Sequence, residues 1–201
     1  MSMTILYEVG NNLYVNLTNK CPCSCTFCIR NNGDGAYGSD SLWLEHDPEE
    51  HEILKEFEKY DLSRYNEIVF CGYGEPTMRL DVMLSVIRKL KENECPAIRL
   101  NTNGLSDLIH GEPTAHKLKG LVDTVSISLN AGTKEEYLKV TRPKYGDESF
   151  EAMQKFASDC KNYVPSVILT VVDVIGKDQI AASQAVADKL GVKLRVRTYE
   201  S

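Results

Sequence analysis

Residues 68–77 read Ile-Val-Phe-Cys-Gly-Tyr-Gly-Glu-Pro-Thr, a short apolar run followed by a glycine-rich loop and a proline. The apolar run predicts a buried strand, and apolar residues recur at helical spacing from Leu80 to Leu90. This stretch is therefore a strand, a loop and a helix in succession. Repeated units of this kind build a parallel sheet that is covered by helices.

Strand and helix patterns alternate about six times along the 201 residues. Ahead of them, residues 5–9 and 13–17 flank a Gly-Asn-Asn turn, which predicts a hairpin. The chain is too short for a complete eight-fold barrel of roughly 250 residues. The predicted fold class is α/β: a partial (β/α)6 TIM-like barrel with parallel strands, outer helices and a short N-terminal hairpin. An open doubly wound sheet is the alternative, and in both folds ligands bind at the carboxyl ends of the strands.

Local signals set the expected helix ends. Asp47, Pro48 and Glu50 predict a helix start, with Asp47 as the N-cap and Glu50 completing a capping box. Residues 180–190 predict a helix that stops at Gly191. Further strands are expected at residues 97–100, 124–129, 167–174 and 192–196.

Composition narrows the function. Hydrophobic residues make up 42% and charged residues 26%, the mix of a folded globular protein. The net charge of −6 gives no general attraction to nucleic acid or to anionic membranes. No apolar run is long enough to span a bilayer and the N-terminus lacks a secretory signal pattern, so we expect a cytoplasmic location. No linker divides the sequence, so residues 1–201 are expected to form one domain.

Cysteine usage points to a metal centre. Four of the seven cysteines lie within residues 21–28, which read Cys-Pro-Cys-Ser-Cys-Thr-Phe-Cys. A disulfide framework would spread its cysteines along the chain. Zinc is one alternative, although it usually takes paired cysteines that lie far apart in sequence. The chain is then a non-enzymatic zinc-binding module.

Cys21, Cys25 and Cys28, with Phe27 before the last, resemble the CxxxCxxC signature of the radical S-adenosylmethionine (SAM) superfamily. The resemblance implies that three thiolates hold a [4Fe-4S] cluster whose fourth iron binds SAM. Reductive cleavage of SAM then gives a 5′-deoxyadenosyl radical that abstracts hydrogen from a substrate. Cys23 lies outside the motif, as a bystander or an alternative ligand. The expected cluster loop covers residues 19–40, and its polar part from residue 29 is a candidate lid.

Further polar motifs follow later strands. Residues 71–77 resemble the superfamily's GGE-type motif, residues 101–104 its TNG element, and Ser128 and Arg142 occupy later stations where members contact SAM. The resemblance implies SAM contacts from Gly72, Tyr73, Gly74, Glu75, Asn101, Asn103, Ser128 and Arg142. On this basis Glu75→Ala is expected to weaken SAM binding and to leave the iron content nearly unchanged. Arg195 and Arg197 share one face of the last strand and are candidates for binding an anionic substrate.

More narrowly, four stretches look like the TatD-associated radical SAM proteins: residues 28–35, 41–44, 68–77 and 103–111. The resemblance implies a functional link to a TatD-family hydrolase and electron supply by a flavodoxin- or ferredoxin-type donor. It leaves the reaction open. The expected substrate is a small anionic metabolite or a nucleotide derivative. The alternative is an activase that generates a glycyl radical on a partner protein.

Overall fold

A computed structural model describes residues 3–199. Seven strands form one sheet in the order of the sequence, with β1 antiparallel to β2 and all later neighbours parallel. The strands are β1 Leu6–Val9, β2 Asn12–Val15, β3 Glu67–Phe70, β4 Ala97–Thr102, β5 Thr124–Ser128, β6 Ser166–Val172 and β7 Lys193–Arg197. The predicted hairpin and six parallel strands are confirmed. The strand order never reverses, so the sheet has no switch point of a doubly wound fold.

Helices connect the parallel strands. They are α1 Glu50–Phe57, α2 Leu80–Leu90, α3 Ser106–His110, α4 Lys134–Thr141, α5 Ser149–Cys160 and α6 Lys177–Leu190. Their buried residues join alternate strand residues such as Leu13, Ile68 and Val125 in one apolar core. Between residues 3 and 199, no helix has the length and apolarity needed to cross a membrane.

The other set of alternate strand residues points away from the helices and forms the inner face of the partial barrel. This face carries the polar side chains that the outer core lacks. The inner-face residues used below are Tyr7, Asn12, Tyr14, Asn16, Cys71, Arg99, Asn101, Ser128, Arg195 and Arg197. Polar and apolar residues are therefore sorted to opposite faces by the two-residue period of a strand.

The helix ends correct one sequence prediction. Helix α1 is capped by Glu49, and its capping box uses Glu52 rather than Glu50. The expected cap, Asp47, instead accepts hydrogen bonds from Thr18 Oγ1 and Lys20 Nζ, both at 2.7 Å. Asp47 is thus recruited to hold the segment before the cysteine loop. The predicted stop at Gly191 is confirmed, with the left-handed φ of 65° that glycine readily adopts.

Candidate cofactor site at the carboxyl ends of the strands

The cysteine loop follows the carboxyl end of β2 and is fixed by the C-terminal end of α4. Ser24 N donates to Thr141 O at 2.9 Å, and Thr26 N donates to Val140 O at 2.9 Å. A third backbone bond runs from Lys144 N to Pro22 O at 2.7 Å. These bonds hold the backbone of the loop at both sides of Cys23. The cysteine spacing is therefore presented on a fixed loop rather than on a free segment.

The thiols of the cysteine loop have pKa values that are shifted in different directions. The Cys23 thiol hydrogen-bonds to Cys21 and Cys25, and these bonds lower the pKa of both partners. The same bonds and burial raise the pKa of Cys23, which is packed into the apolar core. Burial raises the pKa of Cys28. The positive charge of the Arg30 guanidinium acts to lower the pKa of Cys21, Cys25 and Cys28, so this side chain lies near all three thiols.

Two cavities of about 440 and 350 Å³ border Arg30. The larger is also lined by Ser24, Cys25, Thr26, Asn31 and Arg142. The smaller is also lined by Asn19, Lys20, Cys21, Pro22, Met78, Lys144 and Tyr145. Each cavity thus combines a cysteine of the motif with several cationic side chains. This donor set fits a group that is held by thiolates and carries further negative charge.

Residues 3–199 contain no set of three His, Cys, Asp or Glu side chains arranged around a single metal ion. In a [4Fe-4S] cluster each protein thiolate binds a different iron. Cys21, Cys25 and Cys28 lie on one loop beside Arg30, which suits ligation of that kind.

The two glycines of the 71–77 loop lie against the chain itself. A Cβ at Gly74 would lie 2.2 Å from Thr18 O and 2.7 Å from Lys20 O. A Cβ at Gly72 would lie 2.1 Å from Asn16 Oδ1. The sequence prediction gave these glycines a close approach to SAM. The structure gives a second reason, because the loop packs directly on the backbone that leads into the cysteine loop.

We therefore expect Gly74→Ala to displace residues 18–20 and to lower both thermal stability and iron retention. Gly33→Ala is the matched control, since a Cβ there meets nothing within 4 Å and its φ is not left-handed. Thermal unfolding and iron analysis of the two variants after anaerobic reconstitution test this. Equal behaviour of the two variants would contradict the packing argument.

Glu75 is buried and its carboxylate is used inside the protein. Oε1 accepts hydrogen bonds from Thr77 N at 3.1 Å, Thr77 Oγ1 at 2.8 Å and Thr102 Oγ1 at 2.7 Å, and Oε2 accepts one from Asn103 N at 2.7 Å. Burial raises the pKa of Glu75, and these donors oppose the shift. The carboxylate ties the glycine-rich loop to the end of β4. The expectation that Glu75→Ala weakens SAM binding and leaves the iron content nearly unchanged stays a prediction, and the network leads us to expect a loss of stability as well.

Asn103 connects this network to the cysteines. Its Oδ1 accepts a hydrogen bond from Leu105 N at 2.9 Å, and its Nδ2 lies 3.9 Å from Cys21 Sγ and 3.8 Å from Cys23 Sγ. The Asn103 side chain therefore faces the cysteine loop, and its predicted role toward SAM is joined by a contact to a predicted cluster ligand.

The other expected SAM residues lie at three places in the structure. Arg142 ends α4 with a left-handed φ of 45° and lines the larger cavity with Cys25. Asn101 and Ser128 lie on the inner face of the sheet. Tyr73 is turned toward the lid segment, where its hydroxyl donates to Gly33 O at 2.8 Å and its ring contacts Trp43 at 5.0 Å between centroids. Phe27 is half-buried on the cysteine loop.

The substrate candidates also separate. Arg197 is half-buried, and its positive charge acts to lower the pKa of the Cys71 thiol. Arg195 is exposed on the edge strand β7. The structure thus brings Cys21, Gly74, Glu75 and Asn103 together. It leaves Arg195 exposed to solvent, apart from this group.

A sequence profile described as the Radical SAM superfamily matches residues 15–179. The chain belongs to the radical SAM superfamily. The matched range begins on β2 and ends on α6, so it includes the cysteine loop and most of the parallel sheet. The family uses a [4Fe-4S] cluster and SAM, which agrees with the cofactors that the cysteine spacing predicts.

This chain matches only part of the length of each curated radical SAM relative. A "Probable GTP 3',8-cyclase" of Methanocaldococcus jannaschii is 33% identical over 138 residues, 68% of this chain and 41% of the relative. A "Probable dual-specificity RNA methyltransferase RlmN" of Trichodesmium erythraeum is 27% identical over 176 residues, 80% of this chain and 45% of the relative. The chain therefore spans less than half of each of these relatives.

Solved radical SAM structures share the fold. SuiB of Streptococcus suis bound to S-adenosylmethionine aligns with a TM-score of 0.68 at 14% identity, over 95% of this chain and 41% of SuiB. A radical SAM methyltransferase from Sphaerobacter thermophilus aligns with a TM-score of 0.64 at 17% identity, over 96% of this chain and 57% of the other. Together with the strand order, these alignments support the partial barrel.

Sequence reasoning did not single out four residues that lie beside the predicted site residues. Arg30 lies two residues after Cys28, and Asn16 directly follows β2, so both had a positional signal. Arg99 lies two residues before Asn101 and shares its inner face, a signal that strand alternation provides. Thr102 was hidden, because its role depends on the distant carboxylate of Glu75.

Proposed function

We propose that this chain is a radical SAM enzyme that abstracts hydrogen from a small anionic substrate. The observation that carries the proposal is the fixed cysteine loop at the end of β2, beside cavities rimmed by Arg30 and Arg142. Cys21, Cys25 and Cys28 would hold the cluster. When bound, the cluster supplies the electron that cleaves SAM into methionine and a 5′-deoxyadenosyl radical.

The chain's own residues have separable roles in this proposal. Arg30 and Arg142 place positive charge beside Cys25. This charge stabilises the cysteine thiolates and the carboxylate of SAM or of the substrate. Glu75 holds the glycine-rich loop in register with β4, and Asn103 orients the Cys21 side of the loop. Ser128 and Asn101 offer polar contacts on the inner face.

The segment after the cysteines is suited to exclude water. Ala36 and Leu42 pack with Tyr7 and Tyr73 in a small second apolar cluster. Asn32 Nδ2 donates to Tyr199 Oη at 3.2 Å, which joins this segment to the residues after β7. The contact bridges the two ends of the partial barrel. We infer that this segment acts as the lid over the cofactor site.

The proposal extends to partners. The likeness to the TatD-associated group supports a functional link to a TatD-family hydrolase. A flavodoxin- or ferredoxin-type protein in the cytoplasm is the proposed electron donor. The names of the two curated relatives, a GTP cyclase and an RNA methyltransferase, are consistent with a nucleotide-derived substrate.

The test is SAM cleavage by the reconstituted, dithionite-reduced protein. We expect 5′-deoxyadenosine to form, and deuterium from a labelled small-molecule extract to appear in it. Label arriving only from the protein fraction of the extract would favour glycyl-radical activation. Failure to cleave SAM with an intact reduced cluster would overturn the proposal.

A further inference from the structure

The inner face of the sheet carries polar atoms that the protein leaves without partners. Six buried side-chain polar atoms of residues 3–199 lack a hydrogen bond, and five of them belong to inner-face strand positions. Asn12 Oδ1 lies at the start of β2. The other four are Asn16 Oδ1, Arg99 Nε, Asn101 Oδ1 and Arg197 Nε. A buried polar atom that stays unpaired is destabilising, so this concentration points to a ligand.

Four of these atoms, all but Asn12 Oδ1, lie near one residue, Cys71. The strand register continues from Val15 and Phe70 to place Asn16 beside Cys71, and from Phe70 and Leu100 to place Cys71 beside Asn101. Burial raises the pKa of the Cys71 thiol, while a side-chain hydrogen bond with Asn101 and the charges of Arg197 and Arg99 act in the opposite direction. Four of the five orphaned atoms therefore lie around one space beside Cys71, and they include both acceptors and donors.

Aromatic rings line the same space. Tyr7 and Tyr14 lie on inner-face positions with ring centroids 5.3 Å apart, and Tyr37 lies 6.5 Å from Tyr14. Burial raises the pKa of Tyr14, and the charge of Arg99 opposes the shift, so the ring lies within reach of this arginine. Tyrosine faces of this kind stack on planar ligands.

One positive charge in this space is left without an ion-pair partner among the described residues. Arg99 Nη2 is paired with Glu67 Oε2 at 3.1 Å. Arg197 forms no ion pair with any residue in the described range 3–199. The guanidinium of Arg197 is therefore available to an anion at the carboxyl end of β7. A guanidinium binds phosphate or carboxylate through paired hydrogen bonds.

We propose that this inner face binds a planar heterocycle that carries an anionic group, as a nucleotide does. The ring stacks on Tyr14, its polar edge pairs with Arg99 and Asn101, and its anionic group is bound by Arg197. Asn101 then serves the substrate in place of its expected contact with SAM. The proposal rests on the proposed function, because it names the substrate class of the same barrel. It narrows a small anionic substrate to one with an aromatic, hydrogen-bonding ring.

The test uses the reconstituted protein with SAM and measures binding of the four nucleoside 5′-monophosphates by equilibrium dialysis. For GMP, the matched fragments are guanosine, which lacks the phosphate, and ribose 5-phosphate, which lacks the base. We expect at least one monophosphate to bind more tightly than both of its fragments. Arg197→Gln should weaken binding of that monophosphate about tenfold or more, because a charge-assisted hydrogen bond is lost. Binding of the nucleoside should be unchanged. Lys189→Gln removes the same charge from the exposed surface of the outer helix α6 and should have little effect.

Equal binding of ribose 5-phosphate and the nucleotide would refute stacking. Equal loss in Arg197→Gln and Lys189→Gln would refute the assigned anion contact, and binding of none of the four monophosphates would overturn the proposal. Thermal unfolding of each variant shows whether it is folded. Arg197→Lys keeps the positive charge, so retained nucleotide binding in this variant separates lost recognition from misfolding. SAM cleavage is measured in parallel. Cleavage without nucleotide binding refutes only this inference, whereas absence of cleavage refutes the proposed function.

Discussion

Cys25→Ser is expected to remove nearly all bound iron and to abolish 5′-deoxyadenosine formation. A serine hydroxyl does not ionise as a thiol does, so the cluster loses one of its three protein ligands. Loss of a direct ligand should exceed the about 10–100-fold losses that follow removal of a ligand's own hydrogen-bond partner. Cys25 also lines the larger cavity with Arg30 and Arg142, so the defect lies at the centre of the site. Iron and sulfide analysis after anaerobic reconstitution measures it.

Two cysteine variants serve as controls. Cys95→Ser changes a half-buried cysteine before β4, at the end of the sheet away from the cysteine loop, and should keep full iron. Cys23→Ser tests the remaining choice within the loop. Cys23 is packed in the apolar core and donates to its neighbours, so we expect this variant to retain iron. Loss of iron in Cys23→Ser together with its retention in Cys25→Ser would show that the ligands are misassigned.

Glu75→Ala is expected to lower the free energy of unfolding by about 3–5 kcal/mol. The substitution leaves four donors without their acceptor: Thr77 N, Thr77 Oγ1, Thr102 Oγ1 and Asn103 N. Several of these groups are buried, so each loss carries a desolvation cost as well as the lost bond. Glu75→Gln keeps one carbonyl acceptor and should lose less. Urea unfolding of the reconstituted proteins measures the difference.

The Glu75 prediction also separates two views of this residue. A residue that only touched SAM would change SAM affinity and leave stability and iron content intact. A residue that holds the loop in place also changes stability, and the hydrogen bonds favour this outcome. Glu92→Ala, which removes an exposed carboxylate paired with Lys89, is the control and should change stability little. An unfolding free energy of Glu75→Ala equal to that of Glu92→Ala would contradict our account.

Local patterns predicted the fold well, because the two-residue and 3.6-residue periods are written into neighbouring residues. The hairpin, the six parallel strands and the stop at Gly191 all follow from such patterns. The N-cap of α1 was misplaced because Asp47 is drawn to Thr18 and Lys20, which are distant in sequence. Pairings between distant segments leave no local trace.

The site was predicted unevenly for the same reason. The spacing of Cys21, Cys25 and Cys28 is a local motif and led to the family that the profile match supports. The network around Glu75 depends on β4 and was not foreseen. Alternation placed Arg195 and Arg197 on one face, but only the edge position of β7 shows that Arg195 is exposed.

We assign to Cys21, Cys25 and Cys28 a [4Fe-4S] cluster with an iron open to SAM. Electron paramagnetic resonance of the anaerobically reconstituted, dithionite-reduced protein, recorded before and after SAM is added, tests this assignment. Our account predicts about four irons per chain, a signal of the reduced cluster, and a change of its shape on SAM binding. A protein that holds zinc in place of iron, or a cluster signal that SAM leaves unchanged, would contradict it.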